Sequence, residues 1–404
     1  MKKSLIALAV LAAAGAASAQ SSVTLYGLMD VYAGAVKSNS PVLNADGKVV
    51  NVVSTTQDKV DSGALNGSRW GIKGSEDLGG GLKAIFNLES GINADNGSAA
   101  QGGLLFGRRA VVGLNGDFGT VEVGRNSSAY DSVSSDHAMS GALNGTLWGQ
   151  SGIADPSNTN NGLSTKTAAG LASATATTSA ASAAAFLGRT QTWLGYQTRF
   201  NNSIKYTTPT VNGFSGAFMY ALGEDKTATT DSSKSVSGFL KYVNGPLWVS
   251  AGYQSEAAGG SLGTDSLVKI GKAPALQNTL VSVNYDFGVA RVGLGLNRAQ
   301  YKDVAAPVAL GGGDFAAQNE YNLSVAVPVG AVTLSASYAA GKGDTLGKSS
   351  GFGLQALYPL SKRTTLYVGG VSTSTFDKLA AYERGLGADI QHNTTYAAGM
   401  RHTF

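Results

Sequence analysis

Along almost the whole chain, stretches of about ten residues alternate apolar and polar side chains. "AVTLSASYA" puts Val332, Leu334, Ala336 and Tyr338 on one face, with Thr333, Ser335 and Ser337 on the other. "GLKAIFNLES" separates Leu82, Ala84, Phe86 and Leu88 from Lys83, Asn87 and Glu89, with Ile85 as an exception. "SRWGIKGSE" sets Trp70 and Ile72 against Arg69, Lys73 and Ser75. A period of two is the signature of a strand with unlike faces. "TTLYVGGVS" (Thr364 to Ser372) fits either orientation.

The connections come in two kinds that take turns. The short ones are "EDLGGGLK", "NGDFGT", "TPTVNGF", "NGPL", "DFGVA", "PVGA" and "PLSKRT". Their Gly, Asn, Asp and Pro residues supply the backbone angles of tight hairpins. The long ones are polar and run approximately over 36–67, 94–104, 127–201, 223–234, 257–275, 302–316, 341–349 and 375–392. Seven short and eight long connections join sixteen strands. An even number brings the first and last strands to the same side, where they can pair and leave no open edge.

Composition narrows the setting. "MKKSLIALAVLAAAGAASAQ" has a charged start, a short apolar run and Ala17-Ser18-Ala19, so residues 1–19 read as a cleaved signal peptide and 20–404 as the mature chain. Without Lys2 and Lys3, 28 of the 30 basic residues face 26 acidic ones, a balance that gives no reason to expect nucleic acid. There is no cysteine, so export brings no disulfides. Gly is 55 of 404 residues, against an ordinary share of about 7%. No apolar run of the mature chain approaches the ~18 residues of a spanning helix. A secreted β-protein and an outer-membrane barrel both fit this profile.

Strand length and loop asymmetry favour the barrel, because ten tilted residues cover a bilayer's hydrocarbon layer. Apolar faces then meet lipid and polar faces line water. Phe118, Phe214, Tyr285, Phe287 and Tyr358 sit beside short turns, as an interfacial girdle requires. A catalytic reading finds no support: His137, His392 and His402 are scattered, and no H-E-x-x-H, G-x-S-x-G or P-loop occurs.

"SSVTLYGLMDVY", "SRWGIKGSEDLGGGLKAIFNLESG", "GRRAVVGLNGDFGTVEVGR", "NNSIKYTTPTVNGFSGAFMYALGE" and the terminal "GMRHTF" resemble the general diffusion porins of Gram-negative outer membranes, nearest their β-proteobacterial branch. The resemblance implies an all-β, sixteen-stranded antiparallel barrel assembled as a homotrimer. Its long loops face outside, its short turns face the periplasm, and its third loop, here 127–201, folds inward. It implies a passive channel for small hydrophilic solutes and ions, needing no cofactor and no metal. A substrate-specific channel and a barrel enzyme are the alternatives. Lipid and lipopolysaccharide are the implied surroundings. "TAAGLASATATTSAASAAA" (Thr167 to Ala185) looks like an insertion in the third loop.

Family members set basic side chains of the wall against acids of the third loop. Parity assigns Arg69, Lys73, Arg109 and Lys205 to the lumen, and leaves Arg108 facing lipid near the headgroups. Arg69 and one of Arg108 and Arg109 match the family's basic positions, with Arg199 a third match. Asp131 and Asp136 in the loop, and Glu122 on the strand before it, are the acidic candidates. Weak anion preference is the expectation from the arginines. The alternating end, Tyr396 to Phe404, reads as a strand that closes against "SSVTLYG". Its terminal Phe404 resembles the signal read by the outer-membrane insertion machinery.

Overall fold

A computed structural model describes residues 22–43, 49–137, 192–193, 195–224, 226, 232–257, 275–303, 314–374, 376–378 and 392–404. The expected signal peptide and the Thr167 to Ala185 tract lie outside these residues. The strands are β1 (Ser22–Leu43), β2 (Val49–Ser62), β3 (Arg69–Gly79), β4 (Leu82–Asn93), β5 (Ser98–Ala99), β6 (Arg109–Gly116), β7 (Gly119–Ser127), β8 (Arg199–Thr207) and β9 (Phe214–Leu222). They continue as β10 (Lys234–Asn244), β11 (Leu247–Ala257), β12 (Ala275–Asp286), β13 (Arg291–Lys302), β14 (Gln318–Val329), β15 (Val332–Gly343), β16 (Gly347–Pro359), β17 (Thr364–Ser374) and β18 (His392–Thr403).

Each pairs antiparallel with its neighbours, and β1 pairs with β18, so the sheet closes. β2 folds back on the upper part of β1, and β5 pairs only with the end of β4. The remaining sixteen strands form the barrel wall. Among the described residues no helix is long and apolar enough to cross a membrane.

Two boundaries differ from the sequence reading. The first long connection is largely a hairpin, because β1 continues to Leu43 and β2 pairs with it from Val31 onward. The closing seam also lies higher than expected. Leu28–Lys37 of β1 pair with Thr403–Thr394 of β18, while Ser22–Leu28 pair with β3. Closing a barrel of tilted strands staggers the register. Of "SSVTLYG", it is Gly27 that exchanges both backbone bonds with Phe404, at 3.1 Å each.

The faces are inside out relative to a soluble sandwich. On β16, Phe352 and Leu354 are 56% and 58% exposed on the outside, while Gln355 is buried on the inside. On β12 and β14, Asn278, Ser282, Asn322 and Ser324 point inward and are buried. The ambiguous β17 is settled by the same rule. Leu366 and Val368 face out, and Thr365, Tyr367 and Val371 face in. The five aromatics beside the short turns are all exposed outside, as a girdle requires. The β3–β4 turn carries Gly79, Gly80 and Gly81 at φ of 86°, 61° and 81°, angles that side-chain-bearing residues adopt at a cost.

Candidate functional site: the lumen and its third loop

The third loop leaves β7 at Ser127 and turns into the barrel. A 3-10 turn at Tyr130–Ser132 starts it across the wall. The Ala129 amide donates to Ser237 Oγ of β10 at 2.9 Å. The Tyr130 hydroxyl donates to Asn297 Oδ1 of β13 at 3.1 Å. The carbonyl of His137 accepts a bond from Ser324 of β14. The returning limb follows the same wall. The carbonyl of Thr192 accepts from Ser349 of β16, that of Gly195 from Asn278 of β12 at 3.0 Å, and that of Gln197 from Gln254 of β11 at 2.8 Å.

An apolar cluster locks the two limbs together. Tyr130, Trp193 and Tyr196 pack on Leu280, Ala339 and Val371 of the wall. The rings of Tyr130 and Tyr196 meet edge to face at 4.8 Å, and His137 stacks on Trp193 at 5.2 Å. Glycines make the close approach possible. A Cβ at Gly295 would fall 2.5 Å from the His137 ring, and one at Gly293 would strike the His137 carbonyl. Burial holds the His137 imidazole far below its ordinary range, at about 3, and pushes the Tyr130 and Tyr196 phenols well up.

The described parts of the loop therefore anchor along β10–β16, and the wall from β1 to β8 stands apart from these anchors. That wall is basic. Arg109 on β6 pairs with Glu122 on β7. Lys205 sits across from Glu122 in register, its ammonium donating to the Ser127 carbonyl at 3.3 Å. Arg199, at the start of β8, donates to the Arg108 carbonyl at 3.1 Å. Arg69 shares the electrostatic neighbourhood of Arg108, Glu89 and Arg401. Lys73 lies further down β3, its ammonium 5.3 Å from the centre of the Tyr26 ring.

Arg108 corrects the parity reading. Its Nε bonds Glu89 Oε1 at 2.6 Å, and both side chains are largely buried. Residue 108 precedes β6, so strict alternation does not bind it, and the inward Glu89 carboxylate captures it rather than lipid headgroups. The loop acids divide. Asp131 stays near the arginine wall and accepts the Tyr196 hydroxyl at 2.8 Å. Asp136 lies on the far side, bonded at 3.0 Å to Lys241 of β10. Sequence reading put Glu89 on the polar face of its strand and Arg401 in the lumen without naming either as a constriction charge, and it missed Lys241. Glu89 and Lys241 were readable from parity. Arg401 was placed inside by parity, but its bond to Asn66 Oδ1 at 2.8 Å needs the fold.

A second inward feature sits at the base of the first loop. Asp30 is fully buried and accepts the Leu65 and Asn66 amides at 2.9 and 2.7 Å and the Tyr367 hydroxyl at 2.6 Å. Ala64 and Leu65 pack there on Tyr32, Tyr367 and Ala397. More aromatics thus enter the lumen than parity suggested, but Tyr130, Trp193, Tyr196 and Tyr367 are buried in loop anchors. They do not form an exposed aromatic track along the passage.

The family model for Gram-negative porins matches residues 5–378. The chain belongs to the Gram-negative porins. It is 33% identical over the full length of both chains to outer membrane porin protein 32 of Delftia acidovorans. It is 30% identical, again over both full lengths, to an outer membrane porin protein of Bordetella pertussis. Among solved structures, an anion-selective porin from Comamonas acidovorans aligns with a TM-score of 0.65 and 26% identity, covering 95% of this chain and all of that one. OmpT of Vibrio cholerae shares the fold at 13% identity and a TM-score of 0.57, covering 95% of this chain and 98% of that one. This porin is a multi-pass β-barrel of the bacterial outer membrane, and its function is passive diffusion across that membrane. Its relatives are channels rather than enzymes. Among the described residues no group of three or more His, Cys, Asp or Glu side chains could hold a metal.

Proposed function

We propose that this porin is a homotrimeric general channel with a weak preference for anions. The observation that carries the reading is the charge imbalance of the passage. Arg108, Arg109 and Lys241 have carboxylate partners. Arg69, Lys73, Arg199, Lys205 and Arg401 form no direct ion pair among the described residues, and Glu89, Glu122 and Asp131 act on Arg69, Arg199 and Lys205 only from further away. An excess of basic side chains around a narrow aqueous path favours anions. In this reading Arg69, Lys73, Arg109, Arg199 and Lys205 form the attracting wall, and Glu122, Asp131 and Asp136 temper and position it. The Comamonas relative named anion-selective supports the same sign.

The test is the reversal potential of single channels in a planar bilayer under a potassium chloride gradient. Anion preference is the expected sign, and cation preference overturns the reading. A refolded chain that runs as a monomer on a native gel overturns the trimer. Three further elements belong to this reading. Residues 1–19 are removed on export, lipopolysaccharide surrounds the outer rim, and Phe404 serves as an assembly signal. Normal membrane yield of a Phe404 deletion would refute the last.

A further inference from the structure

The turn end of the lumen holds a cavity of about 380 Å³, on the wall where the third loop anchors. Two short connections bound it, Gly245–Pro246 between β10 and β11 and Gly288 between β12 and β13. The Asp286 amide donates to the Pro246 carbonyl at 3.0 Å and ties the two together. Trp248, Asn284, Asp286 and Arg291 line the cavity. Register puts Trp248 directly across from Asn284, and Asp286 directly across from Arg291. All four share the inward parity of the buried Ser250, Ser282 and Gly293. The volume suits a small molecule, and an aromatic wall with a few fixed polar groups is the usual make-up of such a site.

The charges around the cavity are matched. Arg291 Nε bonds Asp286 Oδ2 at 2.8 Å, and Asp286 Oδ1 accepts the Gly288 amide at 2.8 Å. Lys241, whose ammonium lies 5.6 Å from the centre of the Trp248 ring, pairs with Asp136 at 3.0 Å. Two cations and two carboxylates cancel, so the cavity offers an ion no net charge. Asn284 is not matched. It is 3% exposed, yet neither its carbonyl oxygen nor its amide nitrogen has a hydrogen-bond partner among the described residues. Buried polar groups in native proteins are almost always satisfied, so an amide with both ends open asks for a partner. Across from it, 38% of Trp248 is exposed, a large aromatic surface left open inside a polar lumen.

We infer that this cavity binds an uncharged, flat ring that carries a carboxamide. The ring stacks on the Trp248 indole. The ligand amide meets the Asn284 amide edge to edge. Its N–H donates to Asn284 Oδ1, and its carbonyl accepts from Asn284 Nδ2. Those are the two bonds that Asn284 lacks. A carboxylate in place of the amide fits badly, because it sets an oxygen against Asn284 Oδ1 and finds no unmatched cation. The site is separate from the basic wall of β1–β8. It selects by shape and hydrogen bonding, where that wall acts by charge.

The experiment uses the refolded full porin with nicotinamide as the probe, and reads binding by saturation-transfer NMR and calorimetric titration. Saturable binding is expected. Asn284→Leu is expected to weaken it roughly tenfold, since two neutral hydrogen bonds are lost. The substitution removes an unsatisfied polar group at similar volume, so the barrel is expected to fold, which circular dichroism checks. Trp248→Leu, at a partly exposed position, is a second variant and is expected to weaken binding by a similar factor. On the unaltered protein, benzoate and N,N-dimethylnicotinamide lack the amide N–H, and cyclohexanecarboxamide lacks the flat ring. Each is expected to bind several-fold more weakly than nicotinamide. Absence of saturable nicotinamide binding overturns the site, as does unaltered affinity in either variant. Benzoate binding as tightly as nicotinamide would make charge the determinant and also overturns it.

Discussion

Arg109 and Glu122 form the one wall ion pair that links two neighbouring strands inside the passage among the described residues, and removing either partner exposes the charge of the other. Glu122 is the more buried, with 9% of its side chain exposed against 33% for Arg109. In Arg109→Ala the passage loses one cation and gains an unpaired carboxylate. A unit charge about 5 Å from a passing ion is worth ~0.8 kcal/mol in water-like surroundings. Screening at about 0.1 M salt reduces this to roughly 0.5 kcal/mol. The term acts with opposite sign on anions and cations, so their permeability ratio changes by ~1 kcal/mol, about fivefold. Arg109→Ala should therefore move the reversal potential toward cations, and Glu122→Gln should move it toward anions by a similar amount. Planar-bilayer recording in a salt gradient reads both. If both substitutions shift selectivity in the same direction, or neither shifts it, this pair does not face the ion path.

Three other outcomes follow from the loop anchors. His137 is held neutral by burial, with a pKa of about 3 against an ordinary value near 6.5, so the undocked loop binds a proton more readily than the docked one. Docking is fully stable above pH ~6.5 and weakens as pH falls from there toward ~3, so open-channel current noise should rise over that window and His137→Phe should flatten it. Gly293→Ala places a methyl group against the His137 carbonyl, and overpacking of this kind costs about 1–3 kcal/mol. The variant should show raised conductance and a third loop more readily cut by protease, and unchanged conductance would mean that the loop does not depend on this slot. Asp30→Ala strands the Leu65 and Asn66 amides and the Tyr367 hydroxyl, at about 1–3 kcal/mol for each unsatisfied group. Thermal unfolding of the refolded barrel should shift down, with new proteolysis near Asn66, and a neutral result would show that water replaces the carboxylate.

The wall was legible because strand parity is local. Lys205 and Glu122 could be assigned to one face from their immediate neighbours, and the structure places them across from each other. Parity stops being informative where a strand begins or bulges. Arg108 lies just before β6, and β7 shifts register between Gly124 and Asn126. Asp131 and Asp136 were both assigned to the loop, but nothing in their spacing showed that one would stay near Arg199 and the other reach Lys241.

The sequence alone determined the alternation of side chains and the two kinds of connection, and strand length with loop asymmetry turned the apolar faces outward. The closed sixteen-stranded barrel follows, because lipid leaves no unpaired strand edge unpunished. Which charges meet inside was decided only by tertiary structure. Strand stagger moved the closing seam to Leu28–Lys37 and brought Phe404 to Gly27. A track of glycines on β11, β13 and β15 allowed the described parts of the third loop, at Tyr130, Val133, His137 and Thr192, to settle on one wall. Such contacts join residues more than a hundred positions apart, and no local pattern encodes the distance between them.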